Sequence, residues 1–390
     1  MKFNKWTVGL AAIGVVSLAS AARADEKMSQ VQTALSNTTL SGYVDVAAQW
    51  NLGSQNGGPV PAYSYSGGKA DGFTLNAINL AIDKPQDESP WASGYHVELQ
   101  LGPNYPANSY PIRQGYISLR TPVGNGIDWK VGVFDSILGY ESSSDALNPN
   151  YTRSYGYSIE PTTLTGVLAT YKVVDALTLQ AGVADTWNGI NGRMGVESRK
   201  TYVGGITLTA PDSWGAMKGG TLNAAVIHAP GTMYDGGGAA TSLYVGATIP
   251  TPMSALKAGL AFDYFVDHDK YAGGNPANDN AWVLGLYATI QATDKLSFNA
   301  RAEYVDDSDG VLYAYQYHNY GTSTYYPVSQ QAEEFTLTTQ YQLWANVLSR
   351  VEFRWDHVEH GQAFDTSTAT GYNPVHGNAF LLALNLIYQF

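Results

Sequence analysis

The chain has no cysteine. That excludes disulfides, thiolate metal sites, a cysteine nucleophile and a lipid-bearing cysteine at a processed N-terminus. Charge is scarce as well. Asp, Glu, Lys and Arg make up 14% of the residues, against about 25% in an average soluble domain. A surface that met water everywhere would carry more. After residue 24 there is no run of 18 or more apolar residues, so no transmembrane helix is expected. Basic residues are the minority, 21 against 33 acidic, for a net charge of -12. That balance argues against nucleic acid as a partner, and no basic amphipathic stretch offers itself to anionic lipid.

What is abundant is aromatic and small: 28 Tyr, 9 Trp and 41 Gly. The first residues read as a secretory signal. Lys2 and Lys5 form a positive start, Val8 to Leu18 a short apolar run, and Ala22-Arg23-Ala24 an A-x-A cleavage site. The expectation is a signal peptide over 1–24, a short periplasmic segment over 25–37 and a barrel over 38–390. Without Lys2, Lys5 and Arg23 there remain 18 basic and 33 acidic residues, or -15.

From residue 38 the chain reads as a series of ten-residue segments that alternate apolar and polar. That is the length and period of a tilted membrane strand. In 296–304, Leu296, Phe298, Ala300, Ala302 and Tyr304 oppose Ser297, Asn299, Arg301 and Glu303. In 347–356, Val347, Val351, Phe353 and Trp355 oppose Arg350, Glu352, Arg354 and Asp356. Sixteen such segments occur: 38–51, 71–83, 92–102, 111–121, 125–135, 161–173, 175–187, 199–210, 219–229, 240–249, 254–266, 280–292, 294–305, 332–343, 346–358 and 377–390. Segment 71–83 changes phase after Leu75, which suggests a bulge. Segments 111–121 and 161–173 are weakly phased.

A soluble sandwich would share this period. The connections separate the two. Short turns such as Pro122–Gly124 and Pro250–Met253 alternate with long loops such as 52–70, 136–160 and 306–331. Sixteen strands with both ends periplasmic need seven turns and eight loops, which is the number found. Outward aromatics fall at strand ends: Trp50, Phe73, Tyr264, Trp282, Tyr304, Phe335, Trp355 and Phe380 on the long-loop side, and Tyr95, Trp129, Tyr171, Tyr388 and Phe390 on the short-turn side. Two such belts suit the two membrane–water interfaces. The last strand alternates through Leu382, Leu384, Leu386 and Tyr388 to a terminal Phe390. It is similar to the terminal strand by which outer-membrane barrels are recognised by their assembly machinery. The expected fold is all-β, a transmembrane antiparallel up-and-down barrel of about sixteen strands in the bacterial outer membrane.

Four stretches resemble a known family. They are Arg120-Thr-Pro-Val-Gly-Asn-Gly-Ile-Asp-Trp-Lys-Val-Gly-Val-Phe134, then Leu138-Gly-Tyr-Glu141 with Asn148-Pro-Asn-Tyr-Thr-Arg-Ser-Tyr155, and Thr165-Gly-Val-Leu-Ala-Thr-Tyr171. They resemble the OmpL-like "putative β-barrel porin-2" family. The resemblance runs from about residue 38 to the C-terminus and is most specific between 114 and 171. It implies an outer-membrane barrel with porin activity and no settled substrate.

A sixteen-stranded barrel leaves an aqueous channel, so function depends on what narrows it. Loop 136–160 follows the fifth strand, and in general diffusion porins the loop at that position enters the lumen. By analogy it supplies Glu141, Asp145 and Arg153 to a constriction. By parity the wall supplies Lys130, Arg301, Glu303, Arg350 and Arg354. Opposed charges there would set a transverse field that favours small polar solutes. Alternatively, Arg301/Glu303 and Arg350/Glu352/Arg354/Asp356 form wall salt-bridge ladders. Net charge predicts a weak cation preference. Tyr-rich 313–326 is expected to pack on itself over the barrel mouth.

No cofactor or metal is expected. His357 and His360 point to opposite faces of an extended strand, and Asp307-Ser-Asp309-Gly310 lacks the first and last ligands of a calcium loop. No G-x-S-x-G or H-E-x-x-H occurs, so no enzyme is expected. The reading is a porin for passive diffusion of small hydrophilic solutes and ions, homo-oligomeric, with a trimer expected by analogy with porins. Its partners would be outer-membrane lipid and the assembly machinery. The rivals are a structural or adhesive barrel with a plugged lumen and an outer-membrane enzyme.

Overall fold

The computed structural model describes residues 31–32, 37–52, 71–104, 111–191, 198–231, 238–268, 279–307, 311–312, 330–360, 363–367 and 373–390. The signal segment 1–24 and Tyr-rich 313–326 lie outside the described residues.

Sixteen antiparallel strands close into a barrel. They are β1 Thr39–Leu52, β2 Gly72–Lys84, β3 Ser93–Leu101, β4 Ile112–Thr121, β5 Ile127–Asp135, β6 Thr163–Val174, β7 Leu177–Ala184 and β8 Thr201–Thr209. There follow β9 Thr221–Pro230, β10 Ala239–Pro250, β11 Leu256–Asp267, β12 Asp279–Gln291, β13 Leu296–Asp307, β14 Gln330–Trp344, β15 Val347–Val358 and β16 Asn378–Gln389. A two-residue strand, Val31–Gln32, adds to β1 opposite Leu40 and Thr39. Each strand pairs with its neighbours in sequence, and β16 pairs with β1 to close the cylinder. Closure matters because lipid offers no partner to a free strand edge.

The seam depends on two residues. Gly42 and Phe390 exchange backbone hydrogen bonds at 3.0 Å in both directions. A Cβ at Gly42 would meet the Asn79 carbonyl oxygen at 2.2 Å and the Phe390 ring at 2.8 Å. Glycine therefore lets the C-terminal residue close against β1.

The alternation assigns the faces. Leu337, Val351, Phe353, Leu384 and Leu386 are exposed outward, while Thr336, Thr338, Glu352, Ala383 and Asn385 are buried inside. The irregular segments have local causes. In β2 the register shifts opposite Asp45 and Val46, so Asn76 and Ala77 both turn inward between outward Leu75 and Ile78. In β4 the shift opposite Glu98 and Leu99 turns both Arg113 and Gln114 inward. In β6 the inward Leu164 and Leu168 are apolar because loop residues Ile137, Leu138 and Ile159 join them in one buried cluster.

Candidate functional site

Residues 136–160 leave β5 and pack inside the barrel. Gly139 takes φ +101, and a Cβ there would strike the Glu160 carboxylate at 2.3 Å. The two roots of the loop therefore lie side by side. A 3-10 turn over Asp145–Leu147 and a short helix over Tyr155–Ile159 shape the rest. Ser154 caps that helix by accepting from the Tyr157 N–H at 2.9 Å.

The loop is held by charge on the wall. Arg301 of β13 donates to Glu141 at 2.7 Å, to the Thr152 carbonyl at 3.0 Å and to Glu334 at 3.2 Å. Glu303 accepts from the Tyr155 and Gly156 N–H groups at 2.9 and 3.2 Å. Arg350 of β15 donates to the carbonyls of Asp145 and Asn148. Glu352 accepts from the N–H groups of Tyr151 and Thr152. Arg354 donates to the Arg153 carbonyl at 2.6 Å and pairs with Asp356 at 2.7 Å. The Tyr155 hydroxyl donates to Asp356 at 2.8 Å. Within the loop, Arg153 pairs with Asp145 at 2.8 Å.

Seven of the expected pore residues thus meet in one assembly: Glu141, Asp145, Arg153, Arg301, Glu303, Arg350 and Arg354. None is more than 9% exposed. They fasten the loop to the wall. Buried charges are tolerated only with good pairing and full hydrogen bonding, and their main consequence is a specific geometry. At the loop's end, burial first, and then the neighbouring Asp263 carboxylate, hold the Glu160 carboxyl well above the ordinary carboxylate range.

The eighth, Lys130, lies elsewhere. It is half-buried on β5, with His96, Tyr116, Ser118, Gly132, Gly166 and Thr170 half-buried on the same side of the barrel. On the far side, Asp263, Tyr287, Arg301, Thr336, Glu352 and Asn385 are at most 8% exposed. The loop covers the β11–β16 wall and packs on Phe134, Leu164 and Leu168 of β5 and β6, while His96, Tyr116, Ser118, Lys130 and Thr170, nearer the short turns of β3–β6, stay half-buried.

Several anchor residues escape a reading by parity. Arg113, which binds Glu98 and Asp135, is hidden by the β4 bulge. Tyr43 accepts from the Asp145 N–H at 3.1 Å, and Asn104 donates to Asp145 at 2.9 Å. Tyr151 and Tyr155 are buried tips of the loop. Their signal was the 148–155 motif, which has no strand period.

The family profile described as "Putative beta-barrel porin-2, OmpL-like" matches residues 37–390. The chain belongs to this porin-2 family. No curated protein matches the sequence. Among solved structures, the porin-2 chain is similar to the outer-membrane channel DcaP of Acinetobacter baumannii, at 14% identity and a TM-score of 0.60 over 90% of this chain and 97% of that one. It is similar to the anion-selective porin from Comamonas acidovorans, at 11% identity and 0.59 over 90% and 99%. It is also similar to the trimer form of OmpT, an outer membrane protein of Vibrio cholerae, at 12% identity and 0.57 over 90% and 99%. At these identities the likeness is one of fold. With the family it makes this porin-2 protein an outer-membrane barrel.

Proposed function

We propose that the protein is a non-enzymatic channel for passive diffusion of small hydrophilic solutes, constricted by loop 136–160. The observation that carries this is the uneven seating of the loop, which buries the β11–β16 wall and leaves half-buried polar residues, His96, Tyr116, Ser118, Lys130 and Thr170, nearer the short turns of β3–β6. A channel needs a wetted polar path inside an apolar cylinder. The depth of the anchor network favours a second reading, a barrel plugged by the same loop. Single-channel recording of the refolded protein in a planar bilayer decides between them. Stable open steps are expected. Silent insertion of protein shown to be folded by its heat-modifiable gel mobility would establish the plug.

The export signal over 1–24, a cleavage after Ala24 and delivery by the assembly machinery through Leu386, Tyr388 and Phe390 belong to the same proposal. So does homo-oligomerisation. The outer aromatic belt supports it. Each strand from β11 to β16, and then β1 and β2, carries an outward aromatic at its long-loop end: Tyr264, Trp282, Tyr304, Phe335, Trp355, Phe380, Trp50 and Phe73. From β3 to β10 the belt holds Tyr202 alone among the described residues, with Leu101, Val133, Thr165 and Val183 at the matching level. A sector without interfacial aromatics is suited to protein rather than headgroups. Eight strands about 4.8 Å apart, in a band about 25 Å tall, present roughly 950 Å², enough for one side of a stable interface.

A further inference from the structure

Most charges on the β3–β6 wall are already matched. Arg113 pairs with Glu98 and, at 2.8 Å, with Asp135. Arg120 pairs with Asp128 at 2.6 Å. His96 lies 3.0 Å from Asp83 and 3.3 Å from Glu98. The charges on the opposite wall are engaged with the loop. Lys172, at the mouth, pairs with Asp175 at 2.7 Å.

Two lumen-facing cations have no direct partner. Among the described residues, neither Lys130 on β5 nor Lys257 on β11 has an ion pair or a hydrogen bond from its ammonium group. Lys257 lies at the short-turn mouth, opposite Pro250. Lys130 lies deeper. Its Nζ stands 4.8 Å over the Tyr116 ring, and His96 stacks on that same ring at 5.3 Å. The aromatic contact orients the ammonium without cancelling its charge. Directly above Lys130 the wall carries the paired Gly132 and Gly166, which have no side chains, below the inward Phe134 and Leu164.

We propose that Lys130 is a contact site for small anions, such as chloride or a short carboxylate, and that it gives the channel an anion preference despite the chain's net negative charge. The proposal rests on the channel reading. Its physical basis is distance. The field of a matched ion pair falls off faster than that of a lone charge, and charges beyond about 8 Å are largely screened at physiological salt. On the β3–β6 wall Glu98 and Asp135 are held by Arg113, Asp128 by Arg120 and Asp83 by His96, so a solute there meets the Lys130 ammonium as the cation without a direct partner. Three N–H donors can turn towards an anion there.

The test is the reversal potential of single channels in a potassium chloride gradient, for the wild type and for Lys130→Gln, Lys130→Arg, Lys130→Glu and Lys257→Gln. Heat-modifiable mobility verifies the fold of each. The wild type is expected to prefer chloride. Lys130→Gln should lower the chloride-to-potassium ratio by about fivefold, the effect of one charge at close range in water. Lys130→Arg should keep the preference, Lys130→Glu should reverse it, and Lys257→Gln should change it less than Lys130→Gln. Open channels that prefer potassium in the wild type, or that ignore substitution at Lys130, would overturn the inference while the channel reading stands. Folded protein without open steps would remove both.

Discussion

Arg301 on strand β13 donates to Glu141 of the inserted loop at 2.7 Å, although the two lie 160 residues apart in the chain. The same guanidinium grips Glu334 and the Thr152 carbonyl, so one wall residue ties the start and the middle of the loop to the barrel. All of these groups are buried.

Arg301→Met should therefore unseat the loop. Removing one partner of a buried ion pair leaves the others uncompensated and costs about 3–5 kcal/mol. The expected result is a barrel that stays closed, with larger single-channel conductance and trypsin cleavage at Arg153. Unchanged conductance and continued protection of Arg153 would show that the loop is held without Arg301.

The loop's seating should also weaken as pH rises. Glu160 has a raised folded-state pKa, from burial first and then from Asp263, with Glu141 and Glu303 adding to it. A carboxyl raised in the folded state contributes stability that is present below its unfolded pKa and is lost as pH climbs through the folded value. Protease sensitivity of the loop should grow across that window, above the ordinary carboxylate range. Glu160→Gln should flatten the profile, because an amide cannot ionise. An identical profile in the variant would assign the pH response to another group.

Gly42→Val should impair closure. A branched side chain has no room between the Asn79 carbonyl and the Phe390 ring. The heat-modifiable band is expected to be lost or to convert at a markedly lower temperature. Wild-type mobility and melting would mean that the seam tolerates a shift of β16.

The cysteine-free chain makes the oligomer question direct. Val167→Cys on β6 and Leu337→Cys on β14 both place a thiol on the outward face. A short bismaleimide in membranes is expected to cross-link the first and leave the second monomeric. The reverse pattern would put the interface on the aromatic side, and no product from either would support a monomer.

Much of the architecture is legible in the sequence alone. The sixteen segments, their inward and outward faces and the phase change in 71–83 all match observed strands, and that phase change is the Asn76–Ala77 bulge. The period of two survives in sequence because lipid and lumen demand different side chains on alternate residues. The weak phase of 161–173 shows where that rule fails. Leu164 and Leu168 face inward, but they face Ile137 and Ile159 rather than water. Arg113 was missed for a related reason, since one inserted residue inverts parity.

The sequence by itself determined the strand count, the short turns and long loops, and which face of each strand meets lipid. These are local demands, because every backbone group in a membrane must be paired and every outward side chain must tolerate hydrocarbon. Only the tertiary structure decided where loop 136–160 lies and which charges it consumes. Parity marks Arg301, Arg350, Arg354 and Lys130 alike as lumen residues. Contacts spanning up to about two hundred positions bury the three arginines under the loop and leave Lys130 unmatched. Charge pairing depends on separations of a few ångströms, and no period along a chain encodes them.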